Sequence, residues 1–214
     1  YVYDYNASGT QTLYEYYSSC VNGVWNGSVR NVYDFDAAGN KVLEEKYSGM
    51  TDGAWKGSSR YTAVFNAGKE IEHINYKWIA ASKSWQENIK YAKTYDGENL
   101  TDDASYIWNN GWVGNARTTK TYTGSLVASE IVWQWDNTNA VWTNKSKTET
   151  QYMGSNISLQ TKSVWGGTEW INLSQLTNTY QSNLLAESYT RSWKEGAWQD
   201  SLRTINTYDA KKIN

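Results

Sequence analysis

Aromatic residues recur along this chain at fixed spacings, separated by mostly polar stretches. A Trp opens each copy of the repeated stretch, and these residues are Trp25, Trp55, Trp85, Trp112, Trp142, Trp170 and Trp198. Ten positions after each of them stands another aromatic residue: Phe35, Phe65, Tyr95, Tyr122, Tyr152, Tyr180 and Tyr208. The residues between are rich in Thr, Ser, Val and Tyr, which favours a β-strand. Ten is an even offset, so the Trp and the later aromatic residue are predicted to point to the same face of the strand.

A second strand is predicted after each aromatic residue. In copies three to seven it ends in another Trp, and these are Trp78, Trp108, Trp135, Trp165 and Trp193. Tyr76 and Ile74 precede Trp78 by even steps and are predicted to share its face. In the first copy Tyr14 and Tyr16 are expected to fit this pattern. Tyr47 stands one residue out of phase, which predicts a bulge or a register change.

Turn residues separate the predicted strands. Asn6 to Gly9 and Asp36 to Gly39 indicate a type I turn that ends in a residue with positive φ, whereas Asp96-Gly97 predicts a type I′ turn. The other connections contain pairs such as Asp52-Gly53. The prediction is an all-β fold, an antiparallel β-meander of about seven two-stranded hairpin repeats in a single curled sheet, with a closed barrel as the alternative.

The repeats define one array over residues 1–214. Its copies start near residues 1, 31, 61, 91, 118, 148 and 176, each 27 to 30 residues long, and a partial copy starts at 204. Tyr1 aligns with Asn31, inside a copy, and the chain ends where another second strand is due. We therefore expect the natural protein to continue the array on both sides.

A basic residue follows most of the repeated Trp residues at an offset of five. This basic column comprises Arg30, Arg60, Lys90, Arg117, Lys147 and Arg203, and Gln175 stands at the equivalent place in the sixth copy. The odd offset predicts that the column lies on the face opposite the Trp residues. Two interpretations are open: a ladder for an anionic polymer, or a charged face that pairs across strands and keeps the sheet soluble.

Composition and charge narrow the classes of partner. The chain has 13 Trp and 18 Tyr against 2 Phe, no Pro and a formal net charge of −2. The low charge argues against nucleic acid as a partner. No apolar run approaches the ~20 residues of a membrane-spanning helix. One Cys permits no internal disulfide.

Catalytic and metal-binding chemistry finds little support in the residues. His73 is the only histidine and Cys20 the only cysteine. The sequence therefore offers neither a Cys/His set of metal ligands nor a recognisable nucleophile–base pair. Adjacent carboxylates such as Glu44 and Glu45 point to opposite sides of a strand. We therefore predict no enzymatic activity, no cofactor and no metal site.

The aromatic face is the candidate binding surface, and two interpretations of it are open. The face either folds into a core of stacked rings or forms a platform for sugar rings or a partner protein. The candidate binding residues are Trp78, Trp85, Trp108, Trp112, Trp135, Trp142, Trp165 and Trp170.

The Tyr-Asp…Gly-Asn stretch from Tyr33 to Asn40 resembles the YD-repeat proteins of bacterial surfaces and toxins. The fuller unit, with its Trp and basic residue, is similar to uncharacterised tandem hairpin repeats in secreted and surface proteins of gut-type Gram-negative bacteria. The resemblance implies an extracellular or outer-surface module that is structural, adhesive or partner-binding, with another surface protein as its partner. The alternative is a glycan-binding module that stacks sugars on Trp and Tyr.

Overall fold

The computed structural model describes residues 1–51 and 53–208, and over these residues the chain consists of β-strands without a helix. The strands are β1 (Val2–Tyr5), β2 (Gln11–Val21), β3 (Val24–Phe35), β4 (Lys41–Thr51), β5 (Ala54–Asn66), β6 (Lys69–Ile79), β7 (Ser84–Asp96), β8 (Asn99–Trp108), β9 (Trp112–Thr123), β10 (Leu126–Asp136), β11 (Val141–Met153), β12 (Asn156–Trp165), β13 (Trp170–Gln181), β14 (Leu184–Lys194) and β15 (Ala197–Ile205). Asp52 of a predicted turn and residues 209–214 of the predicted partial copy lie outside the described residues.

The strands form one sheet whose order follows the chain from β1 to β15. The predicted antiparallel meander is therefore confirmed. β1 and β15 are the two ends of the strand order, so the sheet is not closed into a barrel. The chain divides into two compact units. Unit 1 comprises Tyr1–Thr94 and Ala104–Asn115, and unit 2 comprises Tyr95–Asp103 and the residues from Ala116 onward.

Turn chemistry explains where the first hairpins reverse. The Asn6 side-chain oxygen accepts hydrogen bonds from the backbone N–H groups of Ser8 and Thr10, and Gly9 N–H donates to the Asn6 carbonyl over 2.9 Å. Gly9 has a φ of 79°, a backbone conformation that favours glycine. Asp36 builds the same turn in the next hairpin, as predicted.

The Asp96-Gly97 turn differs from its prediction by one residue. Asp96 is the last residue of β7, so the loop consists of Gly97 and Glu98. Gly97 occupies the first central position with a φ of 55°. Glycine at that position is the signature of a type II′ turn, whereas type I′ turns are dominated by pairs such as Asn-Gly at both central positions.

A β-bulge interrupts the repeated strand three residues after its Trp. On β6 and β7, Tyr76 is opposite Glu87 and Asn75 is opposite Ile89, so Asn88 is an extra residue. The equivalent extra residues in other copies are Ser28, Ser58, Lys145, Leu173 and Ser201. One extra residue reverses the alternation of side chains beyond it.

This bulge overturns both face assignments made from offsets. Arg60 is opposite Tyr76, and Tyr76 lies two residues from Trp78 on the same face. The basic residue therefore lies on the Trp face, not on the opposite one. Phe65 follows Arg60 by an odd offset and lies on the other side. An even offset places two residues on one face only in a strand without a bulge.

The tyrosines that stand ten positions after a repeated Trp form a hydrogen bond to the neighbouring strand beyond the end of the regular pairing. The β12–β13 pairing extends to Leu159 opposite Thr177, and beyond it the Tyr180 hydroxyl donates to the Ile157 carbonyl over 2.9 Å. The same bond, at 2.7 to 2.9 Å, is formed by Tyr122 to Leu100, Tyr152 to Val127 and Tyr208 to Leu185.

The first two copies carry a further irregularity in their second strands. Tyr47 is opposite Gly57 and Met50 is opposite Trp55, so two residues of β4 face Lys56 alone. The predicted register change at Tyr47 is confirmed. In the first copy the equivalent shift places Tyr17, opposite Gly27, on the Trp face. The assignment of Tyr14 and Tyr16 to that face was wrong. Both stand at odd offsets from Tyr17 on β2, so their side chains point to the opposite face.

Burial is shallow throughout this sheet. Among the described residues, those classed as buried are small: Gly27, Gly57, Ala63, Ala104 and Ser163. No described side chain is fully buried. Most aromatic side chains are therefore half-buried against their neighbours rather than enclosed in a core, and a few near the first strands, such as Tyr5 and Trp25, are exposed.

Candidate functional site

Among the described residues, five hairpins carry a pair of facing Trp side chains beside one turn. Trp78 is directly opposite Trp85, with ring centroids 5.0 Å apart and planes at 71°. The other pairs are Trp108–Trp112, Trp135–Trp142, Trp165–Trp170 and Trp193–Trp198, at 5.0 to 5.2 Å and 67° to 76°. All eight predicted binding tryptophans belong to such pairs. Edge-to-face packing of this kind adds about 0.5–1.5 kcal/mol per pair beyond area burial.

The first two hairpins replace one Trp of the pair. Cys20 is opposite Trp25, and Met50 is opposite Trp55. Sequence reasoning did not place Cys20 or Met50 on this surface. A signal existed, because each stands five positions before its Trp, the spacing that joins Trp165 to Trp170.

Glycine lets the Trp side chains of one hairpin pack onto the preceding hairpin in unit 1. A Cβ atom at Gly57 would lie 2.4 Å from Trp78 Cε3 and 2.7 Å from Trp85 Cη2. A Cβ atom at Gly27 would likewise lie 2.2 Å from Trp55 Cη2. The indoles therefore lie directly on the backbone of the two glycines. A residue with a side chain could replace either glycine only if the rings moved.

Tyrosine hydroxyls add polar contacts to this packing. Trp85 Nε1 donates to the Tyr47 hydroxyl over 3.3 Å, and Tyr47 in turn donates to Glu45 over 2.6 Å. Burial, followed by the hydrogen bond to Glu45, raises the pKa of Tyr47 above its ordinary value.

The basic residues bridge strands on the Trp face. Arg60 has its Nε 3.2 Å from Glu45 on β4 and its guanidinium carbon 4.6 Å from the Tyr76 ring centroid on β6. Arg117 donates from two nitrogens to Asp102 and lies 4.9 Å from a Trp133 ring centroid. Each side chain thus combines an ion pair on one side with a cation–π contact on the other.

The remaining members of the basic column form ion pairs or aromatic contacts of the same two kinds. Arg30 lies 3.3 Å from Glu15, Lys147 lies 2.9 Å from Glu149, and Arg203 donates to Glu187. Lys90 lies 5.0 Å from the ring centroids of Tyr106 and Trp112. Carboxylates of the chain therefore form ion pairs with most of the basic residues in this column.

A cleft opens on unit 1 where two successive hairpins separate. The β5–β6 ladder runs from Asn66↔Lys69 to Arg60↔Tyr76 and has no further pair among the described residues. Beyond its end lies a cleft of about 270 Å³. The lining includes Trp55, Trp78, Lys56, Lys83, Ala54 and Ala80. Two Trp and two Lys residues thus line a cleft that is also bordered by small residues.

A larger and shallower cleft, of about 620 Å³, lies beside β15. Its charged groups are already paired, because Arg203 donates to Glu187 and Arg191 Nε lies 3.5 Å from Asp200. A hydrogen bond to Asp200 is the main cause of a raised pKa at Tyr189. This cleft therefore presents charges that satisfy one another.

The histidine belongs to a small polar cluster on the face opposite the Trp residues. His73 Nδ1 lies 2.8 Å from Glu70, Lys93 Nζ lies 3.0 Å from the same oxygen, and the His73 and Tyr91 rings are 4.4 Å apart. Burial of Glu70 acts to raise the pKa of its carboxyl group, but the hydrogen bonds from His73 and Lys93 outweigh it and lower that pKa. His73 is thus half-buried and paired with Glu70.

Residues 1–51 and 53–208 contain no group of three His, Cys, Asp or Glu side chains that could hold a metal ion. The same residues contain no helix with the length and apolar character needed to cross a bilayer.

Comparison with known proteins gives structural neighbours only. The sequence matches no family model and no curated protein. A Bacteroides fragilis protein of unknown function is 15% identical over 73% of this chain and 96% of its own, with a TM-score of 0.33. A DUF3836 family protein from Bacteroides vulgatus is 19% identical over 39% of this chain and 87% of its own, with a TM-score of 0.33. A porin-like protein from Bacteroides uniformis is 11% identical over 91% and 96%, with a TM-score of 0.31. The YD-repeat resemblance stays a prediction from the motif.

Proposed function

We propose that this chain is a non-catalytic repeat module of a bacterial cell-surface protein, with a structural or partner-binding role outside the cell. The observation that supports the proposal is that the recurring residues contact one another. Trp78 contacts Trp85, and Arg60 contacts Tyr76, so residues that recur in copy after copy contact one another. A repeat whose recurring residues join neighbouring hairpins serves the cohesion and length of the array.

Removal of one complete repeat tests the structural role. Deletion of residues 118–147 joins Arg117 to Thr148 and keeps the repeat phase. A modular array is expected to retain its β-sheet circular dichroism and to unfold cooperatively with one repeat fewer. Loss of folding in this variant, alongside a folded full-length chain, would show a single integrated domain instead.

Protease treatment of intact cells tests the location. An epitope tag in the exposed turn at Gly124 marks the module in its own host. The expected result is digestion of the tagged module by added proteinase K before lysis, while a periplasmic control protein stays intact. Protection of the module until lysis would contradict an outer-surface role.

Glycan binding is the second candidate function, and the cleft at Trp55 and Trp78 favours it. Aromatic faces bind the C–H face of sugar rings, and these indoles are held against Gly27 and Gly57. A fixed platform reduces the ordering cost of binding. Quenching of Trp fluorescence by soluble glycans tests this candidate, with a Trp55→Leu variant expected to lose the response and Trp25→Leu expected to keep it.

A further inference from the structure

The Trp55–Trp78 cleft is lined by two lysines whose ion pairing differs from that of the basic column. Lys56 and Lys83 are exposed, and within the described residues neither forms an ion pair. In contrast, Arg60, the basic residue of the same strand, is engaged by Glu45 and Tyr76. The ammonium groups at the cleft are therefore available to an external anion.

The lining defines the kind of ligand. The volume of about 270 Å³ lies near the lower end of small-ligand sites, which begin at about 300 Å³, and suits about one sugar ring. Indoles supply an apolar contact that the ring face of a saccharide can use. Lysine supplies a mobile point charge suited to a carboxylate or sulfate without a fixed geometry.

We propose that this cleft binds an acidic saccharide unit, with its ring against Trp55 or Trp78 and its carboxylate or sulfate between Lys56 and Lys83. The inference rests on the glycan-binding role proposed above and adds the chemical class of the ligand. An acidic peptide would use the lysines but would have no need of two indoles beside them. The combination of both groups therefore favours a saccharide.

Calorimetry with defined oligosaccharides tests the proposal on the full chain. The probes are a hyaluronan hexasaccharide, which carries carboxylates, a chondroitin sulfate hexasaccharide, which adds sulfates, and neutral chitohexaose. The protein variants are Lys56→Gln, Lys83→Gln and the double variant. Lys145→Gln is the matched control, because Lys145 is an exposed lysine without an ion pair among the described residues.

Acidic hexasaccharides are expected to bind at least about tenfold more tightly than chitohexaose, a difference of about 1.4 kcal/mol. Each Lys→Gln change is expected to weaken that binding by about twofold to fivefold, within the range measured for exposed charge pairs. Lys145→Gln is expected to leave it unchanged. The two acidic probes then distinguish carboxylate from sulfate recognition.

Three results would overturn the inference in different ways. Equal binding of chitohexaose would preserve the glycan-binding role and remove the acidic specificity. Binding of hexaglutamate as tight as that of hyaluronan would show recognition of charge alone. Failure of every saccharide to bind would remove the glycan-binding role as well, while the repeat-deletion experiment still decides the structural role.

Discussion

The guanidinium carbon of Arg60 lies 4.6 Å from the ring centroid of Tyr76, on the face that carries the Trp pairs. This contact exists because an extra residue at Ser58 reverses the alternation of β5 between Trp55 and Arg60. The basic residue is thereby moved from the solvent side of a simple strand to a place between Glu45 and an aromatic ring.

Arg60→Met is expected to destabilise the sheet by about 1–2 kcal/mol, because the cation–π contact is lost and Glu45 keeps no cationic partner at this place. The urea midpoint measures the change. Lys77→Met on β6 is the control, since Lys77 is exposed and has no ion pair in the described part of the chain. Equal midpoints for the two variants would show that the Arg60 contacts contribute nothing measurable.

Gly57→Ala is expected to cost about 1–3 kcal/mol, the usual range for overpacking. The added methyl group would overlap Trp78 and Trp85, so the pair must move. Thermal unfolding gives the loss of stability, and the far-UV exciton couplet of close indoles gives the loss of pairing. Ser58→Ala, one residue away and exposed, is expected to change neither signal.

Trp142→Ala is expected to destabilise more than Trp25→Ala. Trp142 is half-buried and packs on Trp135, whereas Trp25 is 60% exposed and faces Cys20. We expect about 2–3 kcal/mol for Trp142, below the 3–5 kcal/mol of an enclosed Trp, and less than about 1 kcal/mol for Trp25. Urea unfolding of both variants decides between this order and an equal loss at the two sites.

Tyr180→Phe removes the hydroxyl that donates to the Ile157 carbonyl. The expected cost is about 1 kcal/mol, the net value of one hydrogen bond. Hydrogen exchange is expected to become faster at the adjoining ends of β12 and β13. Tyr5→Phe serves as the control because Tyr5 is 60% exposed, and unchanged exchange in Tyr180→Phe would contradict a closing role for the hydroxyl.

Acid is expected to weaken the sheet partly through Glu70. Its carboxyl pKa is lowered in the folded state, with burial opposing the hydrogen bonds from His73 and Lys93 that lower it. A lowered pKa contributes stability that is complete above the ordinary glutamate value of about 4.3 and is lost as pH falls through the folded value. Urea unfolding between neutral pH and about pH 3 should therefore show a smaller acid loss in Glu70→Gln than in the original chain. Parallel curves for the two proteins would assign the acid sensitivity to other carboxylates.

Much of the architecture was readable from local signals. The Trp spacing located the strands, and turn residues such as Asn6, Gly9, Asp36 and Gly39 located reversals, because turn geometry depends on a few neighbouring residues. The same spacing identified the eight candidate tryptophans as residues of the aromatic face. The spacing did not identify Cys20 and Met50, which are opposite Trp25 and Trp55. Nor did it identify Gly57, which contacts Trp78 and Trp85, because these contacts depend on the register between strands.

The sequence by itself determined that this chain makes a repeated antiparallel hairpin, since spacing and turn chemistry act over only a few residues. The tertiary structure alone decided which face each side chain occupies. Ser58, Asn88 and Leu173 share a bulge position without sharing a side-chain type. A bulge forms where two strands pair with unequal numbers of residues, so it depends on both strands at once. That inequality placed Arg60 beside Tyr76, on the face that carries the Trp pairs.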